Sequence, residues 1–291
     1  MVTLASTMET GSSIRRVANF RCYRLTGRSV SKRRRNSSFY THFRRLTRRY
    51  ELQFGRLYGG WAAQAKERTL ALLGIAAKVS PESKAWARDL SDAAMPVAED
   101  ERLKRRLGGF ADTVVSDFAE VGLKQVGAEF VSFNVYDPAT ASKLRELNSR
   151  FSKDVGRVTK RLKENLGRTL AEGYEAGEGY GLLTDRVGEV FAPSIRSTRP
   201  WAARIAATEV GRAANFGLME GYRQSEIVKK KEWLAAFNAR PAHANASGQV
   251  RPLGRTFNVG GQKLMYPGDQ THGASAWNVI NCRCVVNAVF E

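Results

Sequence analysis

Three side chains near the C-terminus, His243, Cys282 and Cys284, are of the types that ligate zinc, and His272 or Asp269 offers a fourth donor. Zinc takes sulfur and imidazole ligands in a tetrahedron, and a closed four-ligand site is structural rather than catalytic. The spacing is atypical, because Cys282-x-Cys284 is tighter than the usual Cys-x2-Cys knuckle. Two other readings of these residues stay open. The cysteines can pack as small apolar groups, with His243 in an ordinary hydrogen bond. They can also form a catalytic Cys–His pair, which needs an oriented base and an oxyanion site that the sequence does not display. Thr208-Glu209 offers a carboxylate, yet Arg204, Arg212 and Arg240 make an ion pair the simpler role for it. Trp201, Trp233 and Trp277 read as core or contact residues, and Tyr266-Pro267-Gly268-Asp269 as a tight turn.

A second chemistry is written at the other end. Residues 1–50 hold thirteen Lys and Arg against one acid, Glu9, a net +12 out of +19 for the 291-residue chain. Arg15, Arg16, Arg21, Arg24 and Arg28 lead into Lys32-Arg33-Arg34-Arg35 and then Arg44 and Arg45, with Phe20, Tyr23, Phe39, Tyr40 and Phe43 interleaved. Such a segment repels itself and gains most by neutralising a polyanion, where each phosphate contact releases counterions and binding is insensitive to sequence. Arginine suits phosphate because its planar fork binds two oxygens at once. A solvated tail without a partner and an organellar transit peptide are the competing readings, since the segment is also Ser-rich and acid-poor.

The elements that must position these groups follow from periodicity and composition. A 43% hydrophobic content excludes a wholly disordered protein, and the longest apolar run, Thr69–Ala77, is far short of the ~20 residues of a membrane span. No apolar secretory h-region is visible, and three cysteines, Cys22 among them, form no disulfide framework. Phe39, Phe43, Leu46, Tyr50, Phe54 and Tyr58 recur at helical spacing and predict a helix from Ser38 toward Ile75. Ser80-Pro81-Glu82 reads as a turn and helix start, followed by a helix over about 100–130 interrupted at Gly108-Gly109. A short β-like run holds Val131, Phe133 and Val135. The stripe Leu144, Leu147, Phe151, Val155, Val158, Leu162, Leu166 and Leu170 predicts a long helix over about 139–172, packed in the core or on a partner. Glycines at 173, 177, 179 and 181 read as a connector, and helices are expected over about 184–191 and 201–222. Beyond Ser225 short strands are expected at 227–228, 231–234, 256–259, 263–266 and 284–286, with Gly260-Gly261 as a hairpin turn. The expected fold is α+β: a disordered basic arm (1–37), a helical domain (38–178) and a smaller β-containing C-terminal domain (179–291).

The C-terminal features form an ordered series: Thr208-Glu209 on a helix, Trp233 on a strand, Arg240-Pro241-Ala242-His243, Pro267-Gly268-Asp269, and Asn281-Cys282-Arg283-Cys284. Over about residues 180–288 this series resembles the phage Mu F-like head morphogenesis family of minor capsid proteins. The family often carries Asp-x-Arg-Thr before the Arg-Pro-x-His turn, where this chain has Ala236, Phe237, Asn238 and Ala239. The missing acid weighs against carboxylate catalysis at that turn. The resemblance implies a minor head protein in the interior of a tailed-phage virion, made in the host cytoplasm. It implies portal, scaffold or major capsid protein and double-stranded DNA as partners, and no membrane. The alternative from the residues themselves is a zinc-dependent nuclease or hydrolase built on the His/Cys site.

Overall fold

In a computed structural model, which describes residues 32–79, 85–195 and 200–290, the chain is α+β and mainly helical. Six long helices come first: α1 (Lys32–Val79), α2 (Ala85–Ala94), α3 (Val97–Gln125), α4 (Pro138–Glu175), α5 (Tyr180–Ile195) and α6 (Pro200–Gln224). The remainder alternates short strands and helices: β1 (Lys230–Leu234), α7 (Pro241–Ala246), β2 (Val250–Pro252), β3 (Phe257–Val259), β4 (Gln262–Leu264), α8 (Ala276–Val279) and β5 (Val285–Val289). The strands β2-β1-β5 form an antiparallel sheet with Trp233 opposite Val286, and β3-β4 form a separate hairpin through Gly260-Gly261.

The apolar stripes are buried where their spacing places them. Phe43, Tyr50, Phe54 and Tyr58 of α1 point inward, and rings of Phe43 and Phe118 meet edge-on at 5.3 Å. In α4, Leu144, Leu147, Phe151, Val155, Leu162, Leu166 and Leu170 are buried against neighbouring helices of the same chain, so the long stripe is a core face. Asp137 starts this helix by accepting the Thr140 N–H at 3.0 Å, with Pro138 at the first helical position.

The tightest helix contact is α3 on α6. A Cβ at Gly217 would lie 2.4 Å from the Val115 carbonyl oxygen, and one at Gly221 would lie 2.2 Å from that of Ala119. Only glycine lets the two backbones approach so closely. This contact ties the last long helix, which leads into β1, to the centre of the bundle. Among the described residues, buried apolar side chains from Phe43 to Ala288 form one continuous cluster.

Several local expectations are corrected. Helix α1 begins at Lys32, inside the segment expected to be a disordered arm, and α3 runs unbroken through Gly108-Gly109. Burial of Leu103, Leu107, Phe110 and Val114 outweighs the ~1 kcal/mol that each glycine costs in a helix. Residues 131–135 form a loop, held by Gln224, whose carboxamide pairs with both backbone groups of Asn134 at 2.8 and 3.0 Å. The expected strand at 227–228 starts only at Lys230. The Arg240-Pro241 turn opens a short helix, α7, and Ser80-Pro81-Glu82 lies outside the described residues. Among the described residues no helix is long and apolar enough to cross a membrane.

A candidate metal centre in the C-terminal unit

The fold brings His243, Cys282 and Cys284 together. His243 stands on α7, and the two cysteines occupy the turn that leads from α8 into β5. All three are buried, and their donor atoms lie within 4.8 Å of one another. His243 Nδ1 is 3.4 Å from Cys284 Sγ and 3.5 Å from Cys282 Sγ. A tetrahedral zinc with Zn–N about 2.0–2.1 Å and Zn–S about 2.3 Å places nitrogen and sulfur about 3.6 Å apart. The separations therefore suit a metal held between them.

The donor chemistry agrees. His243 Nε2 lies 2.7 Å from Asn278 Oδ1, while Asn278 Nδ2 donates to the Val259 carbonyl at 2.9 Å and to Gln262 Oε1 at 3.0 Å. Since the amide nitrogen is engaged elsewhere, its oxygen must accept from the imidazole. That places the proton on Nε2 and leaves the Nδ1 lone pair facing the sulfurs. Cys284 Sγ accepts the Ala236 N–H, and Cys282 Sγ accepts the Cys284 N–H. The two thiols share a hydrogen bond in which Cys282 keeps the proton, and that bond, with the Ala236 N–H, lowers Cys284 against the burial that would raise it. Backbone N–H groups aimed at sulfur favour the thiolate that a metal requires. Trp233, fully buried, lays its ring edge-on to His243 at 5.5 Å and to Phe257 at 5.4 Å, which walls the cluster from solvent.

His272 is not in this cluster, which corrects its expected place as fourth ligand. It sits on the 266–273 loop, 3.4 Å from Asp269 Oδ2. Asp269 is also committed elsewhere: it accepts the Met265 N–H and the Thr271 N–H at 2.9 Å each, and the Thr271 hydroxyl. Burial alone would raise the Asp269 carboxyl, and these hydrogen bonds hold it low instead.

The motif residues brace the turn that carries the cysteines. Asn281 adopts a left-handed backbone with φ of 55°, and its N–H donates to Thr208 Oγ1 on α6 at 2.8 Å. Arg240 donates to the Ile280 carbonyl at 2.6 Å, and Pro241 takes the first helical position of α7. Arg283 forms an ion pair with Glu51 on α1, and its carbonyl accepts from the Tyr40 hydroxyl at 3.3 Å. Both carboxylate oxygens of Glu209 accept from the one Nη1 of Arg212 at 2.9 Å, while Arg212 Nε donates to the Gly268 carbonyl at 2.9 Å. Gly268 has φ of +90°, and a Cβ there would press on the Arg212 backbone at 3.3 Å. Glu209 is thus a structural ion-pair partner. Burial nevertheless raises it to about 7, against the opposing effect of Arg212 and with help from nearby Asp154.

Other expected residues fall differently. Trp277 is half exposed rather than core, and the side chain of Trp201 lies outside the described residues. Arg15, Arg16, Arg21, Arg24 and Arg28 also lie outside them, while Lys32, Arg33, Arg34 and Arg35 fall in the first turns of α1. Arg45 is exposed on α1, but Arg44 turns inward to Thr47 at 3.2 Å and Glu51 at 3.7 Å. The sequence reading missed Asn278 and Asn215. Asn215 on α6 donates to the Cys284 carbonyl at 3.2 Å and accepts the Val286 N–H at 2.8 Å, so it docks the first residues of β5. Its signal was an asparagine within an otherwise small and apolar helix face.

Comparison with known proteins adds one distant relative. Over 198 residues the chain is 24% identical to the uncharacterized protein YqbB of Bacillus subtilis (strain 168), covering 66% of this chain and 62% of that protein. The chain therefore spans less than two thirds of the relative's length. No family model matches the chain, and no solved structure matches it.

Proposed function

We propose that the protein is a minor head protein of a tailed phage or prophage, associated with the portal inside the virion head. In this reading it acts in head morphogenesis and in DNA packaging or delivery. The Arg-rich N-terminal segment contacts double-stranded DNA without sequence preference, and the C-terminal unit is held by a structural zinc on His243, Cys282 and Cys284. The observation that carries the reading is that the ordered motif residues, 75 positions apart from Thr208 to Arg283, bond to the same turn or its braces. Residues that brace one another around a buried cluster fit a structural family core better than a catalytic one.

Zinc fits the residues present, on the strength of the nitrogen–sulfur separations and the N–H donors to both sulfurs. It would staple α7 to the start of β5, a closure worth several kcal/mol in small zinc units. Because three protein ligands are in place among the described residues, a zinc hydrolase or nuclease with an open fourth position is the second reading. Burial of all three ligands and alanine at position 236 count against it.

The reading is tested by co-purification of the protein with its portal, together with the salt dependence of binding to duplex DNA. A stable portal complex and steeply salt-dependent DNA binding are expected. Turnover of nucleic acid by the zinc-loaded protein, lost in His243→Ala, would instead favour the second reading.

A further inference from the structure

Away from the metal centre, α1 and α3 enclose a cleft of about 450 Å³. Its walls carry Arg56 from α1 and Arg102 and Arg106 from α3, one helical turn apart on the same face. Its apolar floor includes Leu57, Leu103 and Trp61. Arg102 pairs with Glu99 at 3.4 Å, while Arg56 and Arg106 are exposed and have no ion-pair partner among the described residues. Trp61 is 5% exposed, and its indole N–H is buried without a hydrogen-bond partner. Three guanidinium groups against one carboxylate leave the cleft strongly positive.

We propose that this cleft is a binding site for a phosphate ester. Guanidinium forks on facing helices can grip phosphate oxygens from two sides. A bare phosphate fills only a small part of 450 Å³. The remaining apolar floor suits the sugar or base attached to it. The ligand chemistry is therefore a phosphodiester of a nucleic-acid backbone or a free phosphate monoester. The first source rests on the DNA contact proposed above, and it would give the protein a second, folded point of contact beside the N-terminal segment.

The test uses the full chain and a variant with Arg56→Glu and Arg106→Glu. A control variant, Arg145→Glu with Lys153→Glu on exposed positions of α4, changes the net charge equally. If charge reversal prevents folding, Arg56→Gln with Arg106→Gln carries the same test. Inorganic phosphate at constant ionic strength should raise the melting temperature of the wild type and of the control, with the shift lost in the cleft variant. For a DNA source, the slope of log affinity against log salt on a short duplex should flatten by about 2 in the cleft variant, and by much less in the control. A phosphate shift lost in the cleft variant with an unchanged duplex slope assigns the site to a free phosphate ester. Duplex binding with equal slopes, and a phosphate shift absent or retained in the cleft variant, overturns the site while leaving the DNA reading intact. A phosphate shift without any duplex binding leaves the site standing and removes that reading.

Discussion

Arg283, the residue between the two cysteines, reaches back 232 positions to close an ion pair with Glu51 on α1. Glu51 is buried and also draws Arg44 at 3.7 Å and Arg48 at 3.4 Å. The central residue of the candidate metal turn is therefore an anchor for the same helix that carries the basic N-terminal segment. Removing the carboxylate leaves three arginines facing one another, whereas removing Arg283 leaves Glu51 with two partners. Glu51→Gln is expected to cost about 2–3 kcal/mol and Arg283→Ala about half as much, measured by urea denaturation. Equal and negligible losses for both would show that α1 is held by its apolar stripe alone.

Zinc should bind with one equivalent per chain and raise the melting temperature, and His243→Ala or Cys284→Ser should abolish both effects. Asn278→Ala should weaken binding by about 10–100-fold while leaving the ligands in place, because it releases the imidazole orientation. Affinity should fall with pH as protons compete for the sulfurs and for Nδ1. A calorimetric titration in a Cys22→Ser background reads these effects without interference from the remaining thiol.

Glu209 sets a pH dependence of stability. Its ordinary value is 4.5 and the folded chain raises it to about 7, so the folded state holds a proton that the unfolded state releases. The stability it contributes is fully present below pH 4.5 and is lost as pH rises through about 7. Glu209→Gln should flatten the profile across that window, a difference of about 3 kcal/mol between its ends. Parallel profiles for the two proteins would mean that the Arg212 pair keeps Glu209 ionised throughout.

Truncation at the N-terminus should have a sharp limit. Removing residues 1–31 takes away five arginines and leaves α1 whole, so the protein should fold and lose up to about 0.9 in salt slope for each arginine that met a phosphate. Removing residues 1–50 deletes Phe43 and Tyr50 from the core, each a loss of about 3–5 kcal/mol, and should abolish folding. Circular dichroism and the salt titration together separate the two effects.

How far the sequence reaches is clear from particular residues. The stripes of α1 and α4 were legible because long helices bury one face at a fixed period, and Gly260-Gly261 announced its hairpin by residue type. The loop at 131–135 was misread because alternation alone does not supply a strand partner, and α3 because burial overrides local glycine propensity. At the candidate centre, residue type alone picked out His243, Cys282 and Cys284. It could not exclude His272, whose partner Asp269 is set by the loop, or reveal Asn278, which matters only through its place in three dimensions. Backbone donors such as the Ala236 N–H leave no trace in side-chain sequence.

The central claim, a minor head protein, is tested most directly by quantitative mass spectrometry of purified head particles from cells that make this protein. The account predicts the protein at a few copies per particle, alongside the portal. Its absence from particles that are otherwise complete would contradict the claim and leave the C-terminal motif series as a domain put to another use.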